Sequence, residues 1–179
     1  EDELGETQHA IDAFKLALED TPADAGALSE LEKLYRGSEE YQELVETLES
    51  QLKTGTADEK QDLLGEIGRL YAEKLDQPDE AISAFERLLD DDPESLKALE
   101  ALEELFETQK EWEDLEDVLE RQLALVPSKS RKEALLTKLG EIRRYHLDLP
   151  ESAIDAYQRI ISSNKQHNKA LNELDELYT

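Results

Sequence analysis

The chain has 179 residues, of which 38% are apolar and 37% charged, and 20 basic against 46 acidic side chains leave a formal charge of −26. Such a charge repels phosphate backbones and anionic membrane surfaces, which excludes nucleic acid as a partner, and no apolar run approaches a membrane span, which excludes membrane insertion. With no cysteine there is neither a disulfide nor a thiolate metal site nor a cysteine nucleophile, and the redox compartment stays unread, the cytoplasm being favoured and the periplasm the alternative.

Apolar residues return at helical spacing in nearly every segment, which predicts ten helices and no strand. The first, over 6–20, carries Ala10-Ile-Asp-Ala-Phe14 and ends at Asp20-Thr-Pro22, because proline disfavours helical geometry in the residue before it. Helices over 25–36 and 39–53 follow, with Gly37 and Gly55 in the gaps, and then one over 58–75. Pro78 opens the helix over 78–90 with Asp79-Glu80 on the favourable end of the dipole. Asp90-Asp-Asp92 lacks the glycine and distal glutamate of a calcium loop and, followed by Pro93, reads as the stop of that helix. Helices over 94–108, 110–125 and 129–147 come next, then one over 150–163 opened by Pro150 and Glu151, and a last one over 167–178. Connections this short make consecutive helices antiparallel hairpins.

The chain also repeats itself. Ala10-Ile-Asp-Ala-Phe14 recurs as Ala81-Ile-Ser-Ala-Phe85 and Ala153-Ile-Asp-Ala-Tyr157, after 71 and then 72 residues. Ala27-Leu28, Leu31 and Tyr35 recur as Ala98-Leu99, Leu102 and Phe106, then as Ala170-Leu171, Leu174 and Tyr178. The leading leucines Leu28, Leu64, Leu99, Leu136 and Leu171 are spaced by 36, 35, 37 and 35 residues, so the unit is one helix pair and the architecture is a stack of pairs.

A unit of this size, with Leu64, Ile67, Gly68, Tyr71, Ala81, Phe85 and Pro93 in order, resembles the tetratricopeptide repeat. A second unit supplies Leu136, Leu139, Gly140, Ala153 and Tyr157, with Arg143 in place of the aromatic and Lys165 in place of the proline. The resemblance implies an all-α, right-handed α-solenoid of antiparallel hairpins running through residues 1–179. Regular hairpins are expected over 58–90 and 129–163, where Gly68 and Ala81, or Gly140 and Ala153, permit a close crossing. Hairpins over 25–53 and 94–125 are degenerate. They carry Glu32 and Glu103 in the glycine column and Leu44 and Leu115 in the alanine column, and are expected to splay or rotate. Asp175 stands in the same glycine column of the last helix. Residues 6–20 read as a second helix without its first and 167–178 as a first helix without its second. The segment is therefore expected to be internal to a longer array.

No enzyme chemistry is legible. His9, His146 and His167 fall in different helices with no partner at ligand spacing, and carboxylate pairs carry no information among 46 acidic residues. Gly65 and Gly68 lie inside a helix, so they cradle no phosphate. Trp112 and Tyr41 occupy equivalent places and are expected to pack rather than to stack on a ligand. Neither a metal nor a cofactor is expected.

In tetratricopeptide repeats the first helix of each pair lines the concave surface, which holds a peptide or a partner's helix. Carried onto this sequence, the groove slots hold Gly26, Ser29, Lys33 and Arg36, then Asp62, Gly65, Arg69 and Ala72, then Lys97, Glu100, Glu104 and Glu107. The later helices add Ala134, Thr137, Glu141 and Arg144, then Lys169, Asn172, Glu176 and Thr179. Six of these are basic where bulk composition gives about two. Two readings stay open: a mixed-charge groove suited to a polar peptide of both signs, or bases paired with neighbouring carboxylates. The family's clamp for chaperone tails is ruled out, because Glu30 and Glu66 stand where its asparagines are needed. The expected function is a noncatalytic protein-interaction scaffold. The alternatives are a spacer that self-associates end to end through its terminal helices and a regulatory segment of a larger enzyme.

Overall fold

A computed structural model describes residues 2–179, with side chains from residue 5 onward. Among them are ten α-helices and no strand: α1 (Asp2–Asp20), α2 (Ala25–Ser38), α3 (Tyr41–Leu52), α4 (Ala57–Glu73), α5 (Pro78–Asp91), α6 (Leu96–Gln109), α7 (Trp112–Leu125), α8 (Lys129–Tyr145), α9 (Pro150–Ser163) and α10 (Asn168–Leu177). Start signals are local. Asp24 accepts the Ala27 amide at 2.9 Å to cap α2, Thr56 and Glu59 close a reciprocal capping box on α4, and Ser128 caps α8. Pro78 and Pro150 sit in the first turns of α5 and α9, where a missing amide proton costs nothing.

The turns repeat as faithfully as the helices. Glu39 and Lys110, 71 residues apart, both take left-handed backbone at φ 59° and 63°, and Asp76 and Asp148, 72 apart, do so at 53° and 55°. Gly37 lies inside the last turn of α2 rather than in the gap after it, and the reversal falls on Glu39, whose amide bonds back to the Tyr35 carbonyl. The chain divides after Pro93 into two units, α1–α5 and α6–α10. In each, helices pack on their neighbours in chain order. In the first unit Leu28, Leu44, Leu48, Ile67 and Ala81 are buried, and in the second Leu99, Leu115, Leu119, Leu139 and Ala153.

The hairpins differ in what one column holds. A Cβ on Gly68 would stand 2.6 Å from Cζ of Phe85, and one on Gly140 would stand 2.5 Å from Cζ of Tyr157. The glycines are therefore matched to the aromatic ring of the recurring phrase, four residues beyond Ala81 or Ala153. In the other hairpins the same column holds Glu32 and Glu103, and each accepts a hydrogen bond from a glutamine of its partner helix, Gln51 at 2.9 Å and Gln122 at 2.7 Å. Backbone contact is accordingly more extensive between α4 and α5, and between α8 and α9, than between α2 and α3 or α6 and α7. Gly140→Ala should cost about 1–3 kcal/mol from overpacking against the fully buried Tyr157 ring, less about 1 kcal/mol regained from helix propensity. A rise in the urea midpoint would show that the ring yields freely.

Arg143 fills the aromatic column of the second regular hairpin as a buried cation, only 8% exposed. Its Nε donates to Glu116 at 2.7 Å and its Nη2 to Glu120 at 2.7 Å. Burial alone would lower its pKa, yet the two carboxylates hold it above the ordinary guanidinium value.

Candidate functional site

The slots expected to line a groove separate into engaged and unengaged residues. On α2, Lys33 reaches Glu30 at 2.6 Å, and Arg36 reaches Glu66 of α4 at 2.5 Å and Glu32 at 2.8 Å. Glu66 foremost, with Glu32, keeps the Arg36 guanidinium above its usual pKa. On α6, Glu100 meets Arg131 at 3.3 Å. On α8, Glu141 pairs with Lys169 of α10, while Arg144 holds Glu173 at 2.6 Å and Glu176 at 2.9 Å. Four of the six bases are thus committed to neighbouring carboxylates. Arg69 and Lys97 are not, and neither are the carboxylates of Asp62 and Glu104. All four are exposed, and none makes a side-chain hydrogen bond or ion pair among the described residues.

Sequence reasoning missed the partners, which obey a register. Arg36–Glu66 joins α2 to α4, and Arg144–Glu173 joins α8 to α10 at the equivalent place. Between α6 and α8 the signs are exchanged: Glu107 accepts from Lys138 at 2.8 Å, and Lys138 also reaches Glu103 at 2.7 Å. Burial opposes the charge of Lys138, but Glu103 and Glu107 together hold its pKa up. The matching slots of α4 and α6 hold Ala72 and Ala101. Comparing columns 36, 107 and 144 with 66, 138 and 173 for opposite charge would have found these pairs. Glu30 and Glu66, where a chaperone-tail clamp needs amides, are spent on Lys33 and Arg36.

Two of the three histidines, with Trp112 and Tyr41, have structural duties. His146, at the C-cap of α8, stacks on Trp112 with ring centroids 3.8 Å apart, and in the equivalent place Lys74 lies 5.5 Å over the Tyr41 ring. His167 caps α10 by accepting the Ala170 amide on Nδ1 at 3.2 Å, and His9 is exposed.

Among the described residues, the first unit carries clefts at both ends of the α2–α4 face. One, of about 410 Å³, is lined on α2 by Ala25, Leu28, Ser29 and Glu32, and on α4 by Glu59, Asp62 and Leu63, with Gln51, Thr54 and Gly55 behind. The other, of about 390 Å³, lies toward the C-terminal ends of α2 and α4, among Arg36, Glu66, Arg69, Leu70, Glu73 and Lys74. The expected slots Ser29 and Asp62 thus fall together in one cleft, and Arg36 and Arg69 in the other.

Hairpins of this length and packing, with exposed polar first helices, are matched by profiles of the tetratricopeptide repeat over residues 27–62 and 98–133 and over 66–95, together more than half of the chain. The chain belongs to the tetratricopeptide repeat family. The matched units start at α2, α4 and α6, so these are its first helices. A search of curated protein sequences gives no match. Among solved structures, the fold is similar to a crystal structure of MamA, with a TM-score of 0.54 at 18% identity over 98% of this chain and 92% of that one. It is also similar to YrrB, described as a tetratricopeptide repeat protein with an unusual peptide-binding site, with a TM-score of 0.54 at 20% identity over 96% and 84%. A tetratricopeptide repeat protein from Parabacteroides merdae aligns with a TM-score of 0.53 at 20% identity over 98% and 67%. At these identities the likeness is one of fold, an α-solenoid of helix hairpins.

Proposed function

We propose that this tetratricopeptide repeat chain is a noncatalytic scaffold that holds a peptide or a partner protein on the exposed faces of its first helices. The observation that supports this most is the contrast among the slots. In a chain where most groove-slot bases are committed to carboxylates, Asp62, Arg69, Lys97 and Glu104 are left with their charges unspent. Charges that stabilise nothing within the fold are available for recognition. YrrB, whose fold is similar, is described as having a peptide-binding site.

Peptides selected from a random display library against the folded chain should shift the backbone amide resonances of α2, α4, α6 and α8. Arg69→Glu should weaken them several-fold with the helical circular dichroism unchanged. Shifts confined to the outer helices α3, α5, α7 and α9 would overturn the groove assignment. Arg144→Glu is a poor probe, because it breaks the contacts with Glu173 and Glu176 and reports on α8–α10 packing.

A second reading, self-association through the ends, is favoured by α10. Leu28 and Leu99 are 2% and 0% exposed, but their counterpart Leu171 is 42% exposed, and Leu16 on α1 is 63% exposed. Sedimentation over a concentration series should then show association that Leu171→Glu abolishes. A monomer at every concentration would dispose of that reading.

A further inference from the structure

The clefts at the two ends of the α2–α4 face differ in the charge they leave unspent, and the difference has a direction. In the cleft toward the N-terminal ends of α2 and α4, Glu32 has both oxygens taken, by Arg36 and Gln51, and Glu59 bonds Thr56. Asp62 is the carboxylate left over, with Ala25 and Leu63 beside it to receive an aliphatic stem. In the other cleft Glu66 is taken by Arg36, and Lys74 lies over Tyr41. There Arg69 and Lys74 keep their charges unpaired by any carboxylate among the described residues, against the one unengaged carboxylate of Glu73, so the charge left over is positive. Neither Asp62 nor Arg69 stands in an end turn of α4, where the helix dipole would account for its sign. Nor does the repeat impose the order, since α6 carries Lys97 and Glu104 in the same two slots, reversed.

From these placements the geometry points to a polar, extended peptide segment as the ligand of the α2–α4 face. It carries one basic and one acidic side chain three residues apart, the basic one seated at Asp62 and the acidic one at Arg69. The spacing follows from the backbone. Asp62 and Arg69 are seven residues apart on one helix, a rise of about 10 Å. A peptide in the extended polyproline II conformation advances about 3.1 Å per residue with three residues per turn, so side chains three apart share one face and span about 9 Å. This rests on the groove reading above and adds to it a charge pattern and an orientation.

The test uses the whole chain and blocked octapeptides of alanine and leucine. These carry Lys-x-x-Glu or Glu-x-x-Lys, with Lys-x-x-Lys and Glu-x-x-Glu as controls and a nitroxide label beside one charge. The better mixed-charge peptide should bind about five- to ten-fold more tightly than either control, the sum of two exposed charge pairs. A label beside its lysine should broaden amides around Asp62 and spare those around Arg69. In the double variant Asp62→Arg, Arg69→Asp, which keeps the net charge and changes only exposed positions, the broadening should move to the other end.

Equal binding of all four peptides on α2 and α4, with no preferred orientation, would overturn the charge pattern while leaving the groove standing. Binding of the peptides elsewhere than on α2 and α4, or no binding up to millimolar concentration, would overturn both.

Discussion

Arg143→Ala is expected to lower the unfolding free energy by about 2–3 kcal/mol, because it removes a buried side chain and the cation shared by two partly exposed carboxylates, Glu116 and Glu120. The guanidinium is 8% exposed and spans Glu116 and Glu120 of α7, with a longer contact at 3.4 Å to the Ser152 carbonyl. Glu120 keeps a weaker neighbour in Arg159 at 3.8 Å, but Glu116 has no other cation among the described residues. The first unit performs the same packing without charge. There the equivalent residues are Tyr71 for Arg143 and Val45 for Glu116, while Glu49 keeps its place and pairs with Arg87 at 2.6 Å as Glu120 does with Arg159. The double variant Glu116→Val, Arg143→Tyr should therefore recover most of the loss, and apolar replacement of a buried pair commonly ends neutral or about 1–4 kcal/mol more stable. Urea unfolding followed by circular dichroism decides it. A single-variant loss under about 1 kcal/mol, or a double variant no better than Arg143→Ala, would show that the ion pair is not what holds α7 against α8.

Arg143 also marks the limit of what the sequence discloses. Its departure from the aromatic column is visible at once, but the compensating change from Val45 to Glu116 is not, since one glutamate among 46 acidic residues carries no signal by itself. The helices and their packing in chain order were legible. They rest on glycine, alanine, leucine and aromatic columns, where volume leaves few choices. The Gly68 and Gly140 columns were read correctly as close approaches, but their counterpart is the ring of Phe85 or Tyr157. The mate of a helical residue depends on how far the second helix slides, and one chain does not reveal that distance. Groove charges were the least legible. Lys33, Arg36, Arg144 and Lys169 have the composition of a binding surface, and only the distances to Glu30, Glu66, Glu173 and Glu141 show them engaged with their own chain. A slot assignment fixes the face on which a side chain stands. Its charge is settled by the helix next to it.

The degenerate hairpins place a polar pair where the regular ones place glycine and a ring, and the two copies differ in burial. Gln122 is fully buried, donating to Glu103 at 2.7 Å and to the Leu99 carbonyl at 3.2 Å and accepting from Arg131 at 3.3 Å. Gln51 is half-buried and donates to Glu32 alone. Gln122→Leu, close in volume, should cost about 2–3 kcal/mol, since it removes the amide from a carboxylate that is itself largely buried and takes one acceptor from Arg131, which keeps Glu100. Gln51→Leu should cost about 1 kcal/mol or less, because water reaches Glu32 and Arg36 still holds it. Replacing both members, Glu103→Leu with Gln122→Leu, should cost less than the sum of the two single changes, for no buried acceptor is then abandoned and Lys138 keeps Glu107. A double-mutant cycle on thermal unfolding measures that coupling. Additive losses would mean that Glu103 and Gln122 stabilise the second unit separately, and the Glu–Gln pair would then no longer explain why these hairpins dispense with glycine.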